Sequence, residues 1–532
     1  MNLSDCFESA VDSCGGKTAL VFEGRKIGYA ELHRRVLALS SAIRAHGLEK
    51  GDRIAIISPN CDRYVEVVLA AARCGFVLEH CNYRAGEHVL APLIEASGPK
   101  LVFAHSGRFM PAALRDRIGA DTPVVLLSGE AAPGTCAYER FVFGPGGDGD
   151  ADPGSDDDVA AVFYTSGTES VPKAVQLTNK NIVSQTIANG LETGWRREDV
   201  YCQGQPLFHV AAFGAYCTLI LGGTLVIVDG LEPRGLLRAI EENAVTRIGL
   251  TPQLVHVLSR LEGAEKRAVK SLDAILYSGS SMPYAVLAEA RRRLACKFYG
   301  LYGMTETSSI VCMLHPEEHG LAAEGPNRKL VPVGRATVGT RIRIDGADAD
   351  GIGELMVRGD GVMAGYTDEE ETRAVLQDGW YATGDMGYRD ERGLYCVVAR
   401  KGSMIISGGE NIYPLEIENC IRAMGPAVAD VVVVGVPSDV WGEAVHACVE
   451  AAGDEDITEE AVREHCGRRL SPYKKPKKVW VWRELPRNAS GKVDRAKALE
   501  AILAAARGPS AASAADNGQY RNEPDGKGSS YV

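Results

Sequence analysis

The chain has 532 residues, which is enough for one large domain and a smaller second one. Hydrophobic residues make up 45% of it and charged residues 24%, as in an ordinary globular protein. The 58 basic and 70 acidic side chains give a net charge of −12, which argues against nucleic acid as the main partner because phosphate backbones require a basic surface. This charge does not exclude a nucleotide, which needs only local donors and a metal ion.

The cysteines and the apolar segments indicate where the protein works. The 14 cysteines include no C-x-x-C pair and no Cys/His spacing typical of a zinc site, so we interpret them as small buried residues in a reducing compartment. The first residues include acidic ones and lack a long apolar run, unlike a signal peptide. No stretch reaches the roughly 18 apolar residues of a membrane span. We therefore predict a cytoplasmic protein without a membrane span.

Short apolar runs alternate with amphipathic helical patterns in the first third of the chain. This alternation predicts a mostly parallel sheet covered by helices. Residues 143–158 lack apolar periodicity and predict a solvated surface loop, because the apolar strand at 159–163 resumes the earlier pattern. In chain order, the patterns are a strand at 17–24, a helix at 25–48, a strand at 52–60, a helix at 63–75, and strands at 99–106 and 122–129.

The later part of the chain changes character twice. Short strands with glycine turns after about residue 330 predict a β-rich subdomain, and beyond Arg400 two helices and two strands predict a compact α+β unit. The end of the chain is rich in Gly, Ser and Ala and predicts a disordered tail. We predict an α/β fold with a large N-terminal domain of helix-flanked sheets over residues 1–401, a small mobile α+β lid over 402–508, and a tail over 509–532.

The strongest local signal for chemistry is the segment Tyr164–Lys173, which reads YTSGTESVPK and follows an apolar strand. A strand that opens into a Thr/Ser/Gly loop offers backbone N–H groups and hydroxyls to phosphate oxygens. Lys173 can add a positive charge near the β- and γ-phosphates. The loop is not a Walker A motif, because the second glycine and the GK[ST] ending are missing. Taken alone, the segment is also compatible with a plain Ser/Thr turn.

This segment resembles the phosphate loop of the adenylate-forming superfamily, which includes acyl-CoA synthetases, carrier-protein adenylation domains and beetle luciferases. Further segments match signatures of that superfamily in the same order, so the resemblance covers everything except the tail. It is strongest to acid–CoA ligases, and it implies ATP-dependent conversion of a carboxylic acid to acyl-AMP with release of pyrophosphate, then transfer to coenzyme A. The matching segments are Tyr302–Glu306 (YGMTE), Trp380–Asp385 (WYATGD), Arg400 with Ile405–Pro414 (IISGGENIYP), and Pro486–Lys492 (PRNASGK).

The resemblance implies which residues bind ATP and AMP. Tyr302 would offer its ring to one face of adenine, and the loop from Gly279 would lie along the other face. Asp385 would accept hydrogen bonds from the ribose hydroxyls, and Arg400 would donate to the same ribose. The full predicted set is Thr165, Ser166, Gly167, Thr168, Lys173, Gly279, Ser280, Ser281, Tyr302, Gly303, Met304, Thr305, Asp385, Arg400 and Lys492.

Four residues are predicted to be catalytic. Both reactants are anions, so the site must neutralise charge and hold geometry. Glu306 is suited to hold Mg²⁺, which takes few protein carboxylates and shares its shell with phosphates and water. Thr305 would donate to the α-phosphate, and Lys492 would bridge the carboxylate and the α-phosphate, although most lysines are simply solvated. His209 resembles the histidine beside the substrate carboxylate, but a histidine after an apolar run is also commonly structural.

The acid and the acceptor are predicted to occupy two further regions. Leu301 precedes the adenine-binding tyrosine and would shorten the acid pocket, which favours an aryl or medium-chain acid. Gly408, Gly409 and Glu410 resemble the loop that lines the pantetheine tunnel, since glycines let a thin arm pass close to the backbone. Basic residues between 468 and 478 would meet the phosphates of coenzyme A or form a solvated face. The predicted walls of the acid pocket are His209, Phe213, Gly279, Leu301, Tyr302 and Met304.

The sequence departs from the family pattern at two points and leaves other functions open. Glu169 puts a negative charge in the phosphate loop, so it must point away or the loop must bind ATP more weakly. Gly402 replaces the usual Asp or Lys at the pivot of the lid rotation, and glycine can take up the required backbone change. The acceptor could instead be a carrier-protein phosphopantetheine or another small nucleophile. A non-catalytic nucleotide-binding protein is disfavoured, because it would not need the intact charged residues of the site.

Overall fold

The computed structural model describes most of the chain, and every structural statement below refers to the described part. The phosphate-loop residues Ser166, Gly167 and Thr168 lie outside the described residues, as do Gly409, Lys492 and the predicted tail. The described residues are 1–106, 109, 112–119, 121–131, 133–144, 154–165, 172–230, 232–262, 266, 269–320, 331–408, 410–425, 427–452, 457–488 and 493–506.

Strands and helices alternate along the N-terminal half, and strands dominate between residues 335 and 412. The strands are β1 Thr18–Phe22, β2 Arg25–Gly28, β3 Arg53–Ile57, β4 Val77–Cys81, β5 Leu101–Ala104, β6 Val124–Leu126, β7 Cys136–Ala137, β8 Val159–Tyr164, β9 Ala174–Thr178, β10 Val200–Gln203, β11 Thr224–Ile227, β12 Arg247–Leu250, β13 Ala274–Tyr277, β14 Lys297–Tyr302, β15 Cys312–Leu314, β16 Arg335–Ala336, β17 Thr340–Asp345, β18 Gly353–Gly359, β19 Gly365–Tyr366, β20 Leu376–Gln377, β21 Trp380–Arg389, β22 Tyr395–Arg400, β23 Ile405–Ser407, β24 Glu410–Ile412, β25 Val428–Ser438, β26 Gly442–Ala451 and β27 Lys478–Trp482. The α-helices are α1 Leu3–Cys14, α2 Tyr29–Ala45, α3 Asp62–Cys74, α4 Glu87–Ser97, α5 Ala112–Arg117, α6 Tyr138–Val142, α7 Asn179–Thr193, α8 Phe213–Ile220, α9 Pro233–Asn243, α10 Pro252–Ser259, α11 Tyr284–Arg293, α12 Glu369–Val375, α13 Pro414–Arg422, α14 Glu459–Gly467 and α15 Arg495–Ala506.

Two large sheets form the N-terminal domain. The first has nine strands among the described residues, in the order β16-β15-β14-β13-β12-β10-β11-β1-β2. The six neighbouring strands from β14 to β1 in this order are parallel. The second has eight, in the order β19-β9-β8-β4-β3-β5-β6-β7, with β9 and β19 antiparallel at one edge. Helices between parallel strands are the connections that parallel pairing requires. The predicted mostly parallel, helix-flanked architecture is therefore confirmed.

One continuous apolar core joins the two sheets. It includes Leu20 of the first sheet and Phe163 of the second, with Phe7, Tyr64 and Phe213 of the intervening helices, all at most 1% exposed. The loops of the two sheets are also joined by a buried amide: Asn60 donates from Nδ2 to the carbonyl of Gln205 at 2.9 Å and accepts from the backbone N–H of Leu207 at 2.8 Å. The carboxyl ends of the first-sheet strands are thereby held against the second sheet.

Helix α7 connects the second sheet to the β-rich subdomain. It begins with a capping box in which Thr178 accepts from the N–H of Asn181 and donates its own N–H to the Asn181 side chain. The Asn181 amide also donates to the carbonyls of Asp360 at 2.7 Å and Val362 at 2.9 Å. The helix start therefore fixes the segment that leads into β19, next to the phosphate loop.

The β-rich subdomain and the C-terminal unit each contain a five-stranded sheet among the described residues. The subdomain sheet runs β17-β18-β21-β20 with β22 on β21, and the C-terminal sheet runs β24-β23-β26-β25 with β27 on β26. The sequence predicted the first as a β-rich subdomain and the second as an α+β unit. The positions of the domain boundaries stay predictions. None of the described helices has both the length and the apolar character needed to span a bilayer.

Candidate active site

The carboxyl edge of the first sheet brings together residues from neighbouring strands. Strands β13 and β14 are parallel, with Tyr277 opposite Gly300. Gly279 follows β13 in the left-handed conformation, with φ at 91°, and the two serines after it are exposed. Tyr302 ends β14 at the same edge. The two loops predicted to enclose adenine therefore leave adjacent strands, as ligand-binding loops of α/β sheets do.

The turn after Tyr302 depends on a glycine that no other residue could replace. A Cβ atom on Gly303 would lie 1.8 Å from the carbonyl oxygen of Ser309, closer than any contact allows. The close approach lets the chain reverse into the single 3-10 turn Thr305–Thr307, where the N–H of Met304 donates to Thr307 Oγ1 at 3.1 Å. This turn carries the predicted catalytic pair: Thr305 is buried and Glu306 is partly exposed.

Asp385 lies at the centre of a charged group formed by three strands. Its carboxylate is 6% exposed; it accepts a hydrogen bond from the Tyr302 hydroxyl at 2.6 Å and pairs with Arg400 Nε at 3.0 Å. Arg400 also donates to the carbonyl of Thr383 at 2.5 Å. Burial and the neighbouring carboxylate raise the pKa of Tyr302, which keeps its hydroxyl a donor. Each carboxylate oxygen has two lone pairs, so Asp385 can still accept from a ribose.

The phosphate-loop end of the site lies beside Glu306. The base of the loop is closed by the Thr165 N–H, which donates to the carbonyl of Lys173 at 2.9 Å. The ammonium of Lys173 is 3.3 Å from a carboxylate oxygen of Glu371 and 5.4 Å from the ring centroid of Tyr366. The Tyr366 hydroxyl donates to Glu306 Oε1 at 2.9 Å. Neither Tyr366 nor Glu371 was predicted from the sequence, because no local pattern marks them.

Glu306 is a reasonable ligand for magnesium. Its Oε1 accepts a hydrogen bond from the Tyr366 hydroxyl at 2.9 Å, so a metal ion would bind through Oε2. The residues that the structure describes contain no group of three or more His, Cys, Asp or Glu side chains that could form a metal cage. A single carboxylate is sufficient for Mg²⁺ that arrives with nucleotide phosphates and keeps several waters. The donor set therefore fits a metal bound together with ATP.

The predicted acid pocket follows the same edge of the sheet. His209 is exposed and caps the 3-10 turn after it, accepting at Nδ1 from the Ala211 N–H at 3.3 Å. Phe213 is 1% exposed and begins α8, while Leu301 and Met304 are partly buried against the same core. Because β10 and β14 run parallel within one sheet, the loops that follow them lie on the same side. The structure therefore permits the predicted pocket, and its residue roles stay predictions.

The C-terminal unit carries the two remaining predicted elements. Gly408 connects β23 to β24 with φ at 60°, its N–H donates to the carbonyl of Trp441 at 2.8 Å, and a Cβ on it would lie 3.2 Å from the Trp441 ring. Glu410 is exposed on β24. The segment that contains Lys492 is flanked by a β-bridge between Arg487 and Val493. Both predicted elements thus belong to the same small unit.

A buried Asp–Tyr–Arg group at the carboxyl edge of a parallel, helix-flanked sheet is typical of an α/β enzyme that binds a nucleotide. The chain belongs to the AMP-binding enzyme family: the model of that family matches residues 7–367, and the model of its C-terminal domain matches residues 416–492. The predicted superfamily and fold class are therefore confirmed.

The chain is similar over most of its length to proteins with stated activities. It is 33% identical to a feruloyl-CoA synthase from an Amycolatopsis species, over 90% of this chain and 94% of that protein. It is 31% identical to the fatty acid–[acyl-carrier-protein] ligase ScoC of Streptomyces coeruleorubidus, over 90% and 92%. The o-succinylbenzoate CoA synthetase MenE of Bacillus subtilis, solved with its acyl-adenylate intermediate, superimposes with a TM-score of 0.80 at 28% identity, covering 93% of this chain and 97% of MenE. MenE has also been solved with ATP and magnesium.

Proposed function

We propose that this chain is an AMP-forming acid–CoA ligase. It uses ATP and magnesium to convert a carboxylic acid to an acyl-AMP, and it transfers the acyl group to coenzyme A. One observation carries the proposal. Glu306, Asp385 and Arg400 lie at the carboxyl edge of the first sheet, and Lys173, at the end of the phosphate loop, is linked to Glu306 through Tyr366. The relatives that act on acids with coenzyme A support the choice of reaction.

In the first half-reaction a carboxylate oxygen attacks the α-phosphorus of ATP, and the bond to the bridging oxygen breaks to release pyrophosphate. Asp385 and Arg400 hold the ribose, so that the α-phosphate faces the acid. Magnesium held by Glu306 neutralises phosphate charge when it is bound. Lys173 adds a cation at the leaving phosphates, and Lys492 stabilises the charge that builds up between the two anionic reactants.

In the second half-reaction the thiol sulfur of coenzyme A attacks the acyl carbon, and AMP leaves. The hairpin of β23 and β24 supplies Gly408 and Glu410 to the pantetheine arm. Gly408 is already in the left-handed conformation with its N–H bonded to Trp441, which supports a rigid, narrow passage. Under this proposal the lid turns between the two half-reactions, because Lys492 serves the first and this hairpin serves the second.

The acid is an aryl acid under this proposal. Leu301 precedes Tyr302 and would shorten the acid pocket, and the substrates in the names of the feruloyl-CoA synthase and the o-succinylbenzoate CoA synthetase both carry a benzene ring. We also propose that the protein works in the cytoplasm. The structure describes all 14 cysteines, and no disulfide joins any two of them.

The proposal is tested by a pyrophosphate-release screen over aryl, medium-chain and long-chain acids, with and without coenzyme A. We expect acid-dependent release that is highest for an aryl acid, and a higher steady-state rate with coenzyme A because the thiol clears the bound adenylate. Mass spectrometry of the mixture should identify the acyl-CoA. The matched control is Glu306→Gln, which is nearly isosteric and should lose magnesium-dependent release.

A carrier protein is the second candidate acceptor, because ScoC is similar over nearly the whole chain. The same screen decides between the acceptors when a phosphopantetheinylated carrier protein replaces coenzyme A. An acylated carrier together with no effect of coenzyme A would replace the leading proposal. Absence of pyrophosphate release with every acid would contradict both.

A further inference from the structure

Tyr366 contacts both of the charged groups that the adenylation step needs. Its hydroxyl donates to Glu306 Oε1 at 2.9 Å, and its ring face lies 5.4 Å from the ammonium of Lys173. Tyr366 is 5% exposed and the Lys173 side chain is 26% exposed, so the hydroxyl contact is the better shielded of the two. A cation over an aromatic face and a hydrogen bond to a carboxylate are each stronger where they are shielded than at the surface.

The backbone of Tyr366 is held by three contacts. Strand β19 pairs with β9 so that Tyr366 lies opposite Val175. The Gln176 amide donates to the Tyr366 carbonyl at 3.0 Å, and the Tyr366 N–H donates to Thr372 Oγ1 at 2.8 Å. Lys173 directly precedes β9, so the ring and the ammonium belong to neighbouring strands of one rigid ladder.

The hydroxyl of Tyr366 has the Glu306 carboxylate as its acceptor, and a second buried tyrosine packs in the same core. Tyr381 is 4% exposed and packs in the same apolar core as Tyr366. The Tyr366 hydroxyl therefore bonds one oxygen of the Glu306 carboxylate, Oε1, so that Oε2 is the oxygen that would face a metal ion.

We propose that Tyr366 is a positioning residue of the adenylation step, whose hydroxyl fixes the Glu306 carboxylate for magnesium and whose ring holds Lys173 for the phosphates of ATP. The inference rests on the proposed function for the identity of the step. The partner of Lys173 on its other side, Glu371, lies on the exposed first turn of α12. The ammonium can therefore leave Glu371 for a phosphate while it stays over the ring.

Two substitutions separate the hydroxyl from the ring. Tyr366→Phe keeps the ring and removes the bond to Glu306, so we expect the apparent magnesium affinity to fall about tenfold, as when a group that orients a metal ligand is lost. The KM for the acid should not change. Tyr366→Leu removes the ring as well, so the KM for ATP should rise severalfold beyond the value for Tyr366→Phe.

The measurements are single-turnover pyrophosphate release across a magnesium titration and calorimetry of ATP binding at fixed magnesium, which does not depend on turnover. The matched control is Tyr395→Phe, because Tyr395 is a similarly buried tyrosine that donates to the carbonyl of Ile342 in the β-rich subdomain. Tyr395→Phe should leave the magnesium titration and the calorimetric titration with ATP at the wild-type values. Thermal melting of each variant shows whether it is folded.

The outcomes distinguish this inference from the proposed function. If Tyr366→Phe has the same magnesium titration as the wild-type protein, the inference is overturned. Equal losses in adenylation and in thioester formation from synthetic acyl-AMP would also overturn it, because they would indicate a purely structural role for Tyr366. If the wild-type protein forms no acyl-AMP, the proposed function falls, and calorimetry alone still decides whether Tyr366 tunes the binding of magnesium and ATP. Unchanged magnesium dependence in Glu306→Gln would overturn the inference while the proposed function stands.

Discussion

Asp385 shows how the site accommodates a buried negative charge by giving the carboxylate a charged partner and a hydrogen-bond donor. A carboxylate that is 6% exposed would be costly without partners, but one of its oxygens faces Arg400 and the other faces the Tyr302 hydroxyl. Arg400 in turn is exposed over about half of its side chain, so its guanidinium can reach a nucleotide while Nε stays paired with Asp385. The group is therefore stable before ATP arrives and adaptable afterwards.

The clearest prediction for a single residue concerns Lys492. Lys492→Ala should abolish acyl-AMP formation, with a loss on the order of a hundredfold or more, because one cation at the developing charge is removed. Thioester formation from supplied acyl-AMP should remain largely intact, since the β23–β24 hairpin serves that step. The two rates are measured separately, by pyrophosphate release and by release of AMP on addition of coenzyme A. Adenylation close to the wild-type rate would remove Lys492 from the step.

Single residues were predicted from the sequence where they belong to contiguous motifs. Tyr302, Asp385 and Arg400 lie in such motifs, and the structure brings the three together. Tyr366 was missed because its significance lies in contacts with Glu306 and Lys173, which are 60 and 193 positions away along the chain (366 − 306 and 366 − 173). Periodicity and motif spacing carry no information about such contacts.

Elements were predicted well where burial and apolar character coincide. Strand β4 was missed although it is fully buried, because its sequence VLEHC includes two polar side chains. Glu79 is buried with Arg53 at 2.6 Å and the Tyr164 hydroxyl at 2.9 Å, and His80 stacks on Phe163 at 4.1 Å. Strand β2 was expected within a helix, because its polar edge residues Arg25 and Lys26 resemble the first turn of α2. In both strands, contacts with residues distant in the sequence determine the structure, and the local sequence pattern does not reveal them.

A titratable contact joins α7 to the first sheet and the β-rich subdomain. His315 Nε2 lies 3.0 Å from Glu192 Oε2, and the other oxygen of Glu192 accepts from the Val338 N–H at 2.8 Å. The hydrogen bond with Glu192 raises the pKa of His315 against the effect of burial, and Glu317 and Glu318 raise it further. Burial alone would raise the pKa of Glu192, but the hydrogen bonds from His315 and Val338 lower it.

The two shifts predict how this contact contributes to stability at different pH values. The contribution of His315 is complete below its ordinary pKa of 6.5 and is lost as pH rises through its raised value, whereas that of Glu192 is complete above 4.5 and is lost as pH falls through its lowered value. Glu192→Gln should therefore destabilise the folded chain by about 1 kcal/mol near pH 5.5 and by less at pH 9. Urea unfolding at the two pH values measures this difference.

His315→Gln provides the complementary variant for the same contact. It removes the titrating group, so the variant should show a smaller change in stability between pH 5.5 and pH 9 than the wild-type chain. The double variant should lose no more than either single one if the two side chains act only through each other. A destabilisation by Glu192→Gln that is equal at both pH values would mean that shape, rather than charge, is what matters at this position.

At the scale of the whole molecule, the C-terminal unit contacts the β-rich subdomain through a small apolar cluster. Tyr413 and Leu415 pack with Ile352 and Tyr388, and the linker lysine Lys401 pairs with Glu354 at 2.6 Å. The ion pair between Lys401 and Glu354 contributes little to the stability of this interface, because the lysine is largely exposed to water. An interface of this size can form and separate during a catalytic cycle, as the proposed alternation between the two half-reactions requires.

The linker at Gly402 offers the sharpest test of that alternation. Gly402 lies in the 3-10 turn Lys401–Ser403, and a Cβ on it would meet nothing within 4 Å. A 3-10 turn has φ near −50 to −70°, which is the range that proline fixes. Gly402→Pro should therefore fix φ at this position, restrict Lys401 as well, and oppose rotation of the lid. We expect the half-reaction that matches the locked angle, which we take to be adenylation, to survive, and the thioester step to fall about tenfold or more, since that step needs the β23–β24 hairpin at the acyl-AMP.

Gly402→Ala is the matched control, because alanine fits the open space at this turn and still allows φ to change. It should retain both half-reactions, whereas loss in both variants would indicate that any side chain at this position is harmful. Pyrophosphate release in a single turnover measures the first half-reaction, and conversion of synthetic acyl-AMP to acyl-CoA measures the second. Equal loss of both rates in Gly402→Pro alone would point to misfolding, which a melting curve would detect. If the proline variant keeps both rates, the rotation pivots at another residue of the linker.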